Sequence, residues 1–178
     1  MKTLGIILGS TRQHRFGDKV AQWLCVEGQQ LTDVQAKLLD LKEFALPFFD
    51  EPKPPSALGG VYSSPEATRW AEAIKSCDAL VFCTPEYNHS YPAVLKNAID
   101  YLYAEWHGKP YTIVSYSGGP IGGARCATRL RGLLDYMGLR CHGEVNIPFV
   151  TKVIDTHGQL VDQAWSERMQ TSLKKLIA

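Results

Sequence analysis

The chain has 178 residues, enough for one domain of ordinary size, and its 45% apolar and 21% charged content is that of a globular protein with a real core. A net charge of +1 gives no basic field for nucleic acid or an anionic membrane surface. No apolar run approaches the ~18 residues that a membrane span needs, so neither nucleic acid nor a bilayer is an expected partner.

The pattern alternates strand and helix along the chain. "MKTLGIILGS" reads as a buried first strand over Thr3 to Leu8 rather than a signal peptide, because it flows into an amphipathic pattern without a cleavage site. From Asp18, the positions Val20, Ala21, Leu24, Cys25 and Gly28 form a helical stripe. A weaker strand follows over Val34 to Leu41. Ala45 to Ser64 carries four of the ten prolines and predicts no regular structure. Its length, with Phe48, Phe49 and Tyr62, suits either a functional or subunit-contact segment or an inert ordered loop.

Ser64 caps the next helix, with Pro65 at its first position and Ala67, Trp70, Ala71 and Ile74 facing inward. Asp78 to Thr84 is the third strand. Pro92 opens a helix whose Val94, Leu95, Ala98, Ile99 and Leu102 are buried. Tyr111 to Tyr116 is the fourth strand, and Ala127, Leu130, Leu133, Leu134 and Met137 line the fourth helix. A fifth strand falls within Leu139 to Ile147, and a last helix carries Val161, Trp165, Met169, Leu173 and Leu176. Five strands and five helices in alternation predict one α/β domain over 1–178, a doubly wound parallel sheet with helices on both faces. Such sheets bind ligands beyond the carboxyl ends of their strands.

The loops after strands one, three and four therefore share one rim. They read "GSTRQHRFG", "TPEYNHSYP" and "SYSGGPIGGAR". The first offers a helix N-terminus, hydroxyls from Ser10 and Thr11, and the cations Arg12 and Arg15, all apt for a phosphate. A plain helix cap with solvent-facing arginines is the alternative. The loop is neither a Walker A loop, lacking GK[ST], nor a dinucleotide GxGxxG. In the second, prolines stiffen a run of amides and an aromatic ring that suits a flat heteroaromatic, while Ser90 or Asn88 could equally cap the helix near Pro92. In the third, glycines let backbone approach a ligand, or simply make a flexible turn.

The five cysteines, Cys25, Cys77, Cys83, Cys126 and Cys141, are odd in number, dispersed and without a Cys-x-x-Cys pair. They point to reduced thiols in a cytoplasmic protein. None has an arginine six positions on, which disfavours a cysteine phosphatase. The histidines are scattered, so no metal site is expected.

Together these loops resemble the NADPH-dependent FMN reductase family of flavodoxin-like proteins, most specifically in "TPEYNHSYPAVLKNAIDYL" at Thr84 to Leu102, with "GSTR" at Gly9 to Arg12 and "SGGPIGG" at Ser117 to Gly123. The resemblance implies a five-stranded sheet of order 2-1-3-4-5 and bound FMN. Ser10, Arg12 and the turn through Phe16 and Gly17 would hold its phosphate. Pro85, Glu86, Tyr87, Asn88 and Ser90 would lie against the ribityl chain and ring, and Ser117, Gly118, Gly119 and Gly122 against the pyrimidine edge. Many relatives have serine and asparagine where this chain has Arg15 and Gly17. Arg15 would then take over a phosphate contact or turn outward toward NADPH.

The implied activity is transfer of hydride from NADPH or NADH through flavin N5 to a quinone, flavin, azo compound or metal ion, in a ping-pong cycle that needs no protein nucleophile or base. A flavodoxin-type electron carrier without turnover is the rival; such carriers are usually acidic, and this chain is near neutral. A cofactor-free binding module is the second. The resemblance also implies a homodimer or homotetramer; the apolar run "YPAVLKNAIDYLYAEW" suits either a helix-face contact or an intramolecular core helix, and exposure of Tyr101, Tyr103 and Trp106 would tell them apart.

Overall fold

The computed structural model describes residues 1–178. Its strands are β1 (Lys2–Leu8), β2 (Val34–Asp40), β3 (Ala79–Pro85), β4 (Pro110–Tyr116) and β5 (Arg140–Ile147). They form one sheet of order β2-β1-β3-β4-β5 in which every pairing is parallel. The chain leaves β1 toward β2 and then crosses back to β3 on the other side. The carboxyl ends of β1 and β3 therefore border the point where strand order reverses, and their registers bring Leu8 opposite Cys83.

Burial on both faces explains the apolar character of the central strands: β3 is buried at every residue. On one face, α1 (Gly17–Gln29) and α7 (Ala164–Ile177) cover the mainly aliphatic cluster around Leu4, Val81, Val114 and Leu173. On the other, α3 (Pro65–Lys75), α4 (Ala93–Asp100) and α5 (Ala124–Tyr136) cover a core rich in large rings, Trp70, Phe82, Trp106 and Tyr111. Two single-turn helices, α2 (Leu41–Phe44) and α6 (Val150–Val153), add to the five long ones that the periodicity predicts. Ser64 caps α3 as expected: its hydroxyl oxygen accepts the Ala67 N–H at 3.1 Å.

One expectation needs correction. Val161 is not part of the last helix; it lies exposed beside a small hairpin with an antiparallel bridge between Ile154 and Leu160. Tyr101 and Trp106 fall on the core side of the two readings of their stripe. Both are fully buried, because the chain after α4 folds under the sheet and Trp106 packs against Trp70 at 6.1 Å. Only Tyr103 of that trio reaches the surface, at 39% exposure.

Candidate functional site

β1 delivers its last N–H to the neighbouring strand, Gly9 to the Cys83 carbonyl at 2.9 Å. Side-chain room is absent there, since a Cβ on Gly9 would come within 2.9 Å of Leu95. Beyond Gly9 the backbone stops bonding to itself. From Ser10 to Asp18, only the Arg12 N–H has an acceptor in the chain, the Ser10 hydroxyl at 3.4 Å. His14 takes a left-handed conformation in the middle of this run, and α1 begins with no side-chain cap. Buried or half-buried N–H groups are almost always paired in a folded protein. A consecutive run of open donors at a helix N-terminus is a cradle for an anion. Arg12 belongs to this run, exposed and without a side-chain hydrogen bond or ion pair in the chain.

Arg15 is employed differently from the expectation. It is 7% exposed and its guanidinium forks onto Asp40 at the end of β2, with Nη1 to Oδ1 at 2.9 Å and Nη2 to Oδ2. Nη1 also donates to the Ser10 carbonyl, and Nε donates to Asp18 at 2.7 Å. Most of its donors are thus consumed inside the protein. Burial works against its charge, but the bonds to Asp40 and Asp18 prevail and raise its pKa. Pulling the Ser10 carbonyl inward leaves the following N–H groups facing the rim. Gly17 is glycine for packing: a Cβ would sit 2.3 Å from the Tyr116 hydroxyl.

Ser10 links the first loop to the second. It is fully buried, and its hydroxyl lies 2.7 Å from the Tyr87 hydroxyl. Tyr87 and Ser90 exchange backbone hydrogen bonds at 2.9 and 3.0 Å. The two residues between them, Asn88 (φ 50°) and His89 (φ 64°), are both left-handed, the geometry of a tight turn that glycine would favour. Strain held in place like this concentrates at binding sites. Arg129 of α5 donates to the His89 carbonyl and fixes the turn from below. Glu86 accepts the Cys126 N–H at 3.2 Å and so serves the start of α5. Neither Ser90 nor Asn88 caps α4, whose first turn has no side-chain cap at all.

In the third loop, the Ser117 hydroxyl bonds both the N–H (3.2 Å) and the carbonyl (3.3 Å) of Gly119. Gly118 faces open space, as close backbone approach requires. Gly122 answers to packing, since its Cβ would lie 2.7 Å from the Ile147 backbone. A fourth segment joins this rim, one the sequence reading passed over. The Phe149 N–H donates to the Gly119 carbonyl at 3.1 Å and the Val150 N–H to the Ser117 carbonyl at 3.0 Å. The signal was present as an aromatic placed directly after the last strand, in "IPFV".

Burial raises the thiol of Cys126 to about 12 and that of Cys25 to about 11, so neither is a thiolate at neutral pH. No group of three His, Cys, Asp or Glu side chains could hold a metal, and no helix is long and apolar enough to cross a membrane. The site's chemistry therefore lies in donors and surfaces. The loops make a shelf at the carboxyl rim of the sheet, the first and second joined by the Ser10–Tyr87 contact.

Comparison with known proteins gives this shelf a context. The model of the family described as NADPH-dependent FMN reductase matches residues 1–152. An NAD(P)H-dependent FMN reductase of Saccharomyces cerevisiae is 35% identical over 169 residues, covering 90% of this chain and 87% of that protein. One from Schizosaccharomyces pombe is 39% identical over 135 residues, covering 76% of this chain and 66% of that protein. Among solved structures, the flavoenzyme NAD(P)H:(acceptor) oxidoreductase of Paracoccus denitrificans superposes with a TM-score of 0.82 at 25% identity, covering 99% of this chain and 96% of that one.

Proposed function

Because this chain belongs to the NADPH-dependent FMN reductase family, we infer that it is an FMN-dependent NAD(P)H oxidoreductase whose acceptors are flat molecules such as quinones, azo compounds or free flavin, with oxidised metal ions as a further class. The observation that carries the reading is the run of open backbone donors from Ser10 to Asp18, which includes the unpaired Arg12. A phosphomonoester brings about −1.5 to −2 charges and three acceptor oxygens, and this is the donor set that matches it. The residues present therefore fit FMN.

Arg12 and the open N–H groups would hold the phosphate, with the Ser10 hydroxyl and Tyr87 beside them. Pro85, Glu86, Tyr87, Asn88 and Ser90 would support the ribityl chain and ring. Ser117, Gly118 and Gly119 would face the pyrimidine edge. Phe16, Gly17 and Gly122 shape the same loops from behind, and Arg15 acts as a positioning residue through Ser10 and Asp40. FMN, when bound, supplies the two-electron chemistry at its N5. The protein's own contribution is placement and electrostatics. Backbone N–H groups of the glycine loop would face the ring edge and favour negative charge there, and no side chain is needed as nucleophile or base.

Donor and acceptor use one berth in turn, because a shelf of this kind offers one open face. Steady-state rates should then give parallel lines in double-reciprocal plots; intersecting lines would contradict the shared berth. The reading includes a homodimer, or two such dimers paired as a tetramer. The five free cysteines suit a cytoplasmic setting. The test is direct. The purified protein should show a flavin spectrum, or acquire one with added FMN, and NADPH without oxygen should bleach it. Retention of flavin without bleaching by NADPH or NADH would instead favour the electron-carrier reading. Its charge of +1 and the reductases among its relatives support the enzyme.

A further inference from the structure

Phe149 is out of place by every local rule. It holds φ at 44°, a left-handed conformation that bulky side chains rarely adopt. It is 42% exposed and belongs to neither core cluster, on a segment bonded to the third rim loop. Its conformation is nonetheless over-determined. Its N–H donates to Gly119 at 3.1 Å, its carbonyl accepts the Lys152 N–H at 2.7 Å, and the Lys152 ammonium stands 5.1 Å from its ring centroid. The following N–H, of Val150, locks onto Ser117 at 3.0 Å. The residue is thus fastened by its backbone to the glycine loop, with a positive charge held over its ring. A backbone outlier that the surroundings hold in place, with no packing return for its ring, calls for a ligand.

We propose that Phe149 is a specificity-determining residue for the electron acceptor: an aromatic side wall, biased by Lys152 toward electron-rich or anionic rims, that grips flat aromatic acceptors of the quinone class. This rests on the reading of the shelf as an FMN site. An aromatic contact of this kind discriminates planar from compact acceptors. It adds ring-on-ring attraction for a quinone and nothing specific for an octahedral ion.

The experiment uses the flavin-loaded protein reduced with dithionite, mixed rapidly with either a naphthoquinone or hexacyanoferrate(III). The quantity read is the ratio of the two second-order reoxidation rate constants. In Phe149→Gly, which accepts the left-handed backbone, the ratio of quinone to hexacyanoferrate should fall about tenfold. Phe149→Tyr should keep most of the unaltered ratio. A ratio within twofold of the unaltered protein in Phe149→Gly overturns the proposal. So does a melting temperature several degrees lower in that variant, which would make the ring a packing element. Failure of the unaltered protein to hold FMN at all would defeat the function reading beneath it, an outcome seen before any variant is made.

Discussion

The loop at residues 9–17 follows β1, the loop at 45–64 follows the single-turn helix α2, and they end in opposite states. The first leaves its N–H groups open. The second closes on its own protein. Asn97 accepts the Phe49 N–H at 2.9 Å and donates to the Pro47 carbonyl at 2.7 Å, and the Tyr101 hydroxyl reaches the same carbonyl at 3.1 Å. Glu51 takes both the N–H and the hydroxyl of Ser63, and Tyr62 donates to the buried carboxylate of Glu105 at 2.7 Å. Phe49 packs edge-on against Tyr101 at 5.2 Å, which leaves Phe48, at 82% exposure, as the loop's one large exposed ring. Both segments look unusual as strings of letters. Anchorage separates them: the second is tied to the rest of the protein through Asn97, Tyr101 and Glu105, while the first presents its open N–H groups at the start of α1.

Arg15→Met should break the comparison most severely. It removes the partner of a nearly buried Asp40, and about 3 kcal/mol of stability should be lost in urea unfolding. Adding Asp40→Leu should recover much of that stability without recovering flavin affinity. If flavin affinity returns as well, Arg15 does not position the first loop. Arg12→Ala comes next. Losing a charge-assisted bond to phosphate is worth about 1.5–3 kcal/mol, so FMN affinity should weaken about 10- to 100-fold. The melting temperature of the flavin-free protein should not move, because Arg12 holds nothing within the chain.

Tyr62→Phe probes the closed loop. It should cost about 1 kcal/mol of stability and leave the dissociation constant of FMN unchanged, the reverse pattern of Arg12→Ala. A change in FMN affinity here would give the 45–64 segment a part in the site. The smallest effect is the pH dependence. Burial pushes the Glu105 pKa up, but the hydrogen bonds from Tyr62 and backbone N–H groups, with Lys75 nearby, outweigh it and hold it below its ordinary 4.5. A depressed carboxylate contributes stability above about pH 4.5 and loses it as pH falls through the folded value. Thermal melts of Glu105→Gln should therefore fall less steeply below pH 4.5 than those of the unaltered chain.

The alternation of strands and helices was legible because each element had to bury a period-2 or period-3.6 face, and Ser64-Pro65 marked the start of α3 by local chemistry alone. The three rim loops were legible because parallel topology sends them to one edge. Arg15 was misread because its partner, Asp40, lies 25 positions away at the end of a different strand. Tyr101 and Trp106 left two readings open because an apolar stripe does not say whether it faces its own core or a second chain. Val161 fell on the helical period of α7 by coincidence, three residues before that helix begins.

What the sequence determined by itself is everything set by neighbours along the chain: which segments fold as strands or helices, where they stop, and which loops carry donors. What only the tertiary structure decided is which donors stay free. A guanidinium, a hydroxyl or an N–H has the same chemistry in any sequence. Whether it meets Asp40, Tyr87 or an outside phosphate depends on which distant residues the sheet brings within about 3 Å of it.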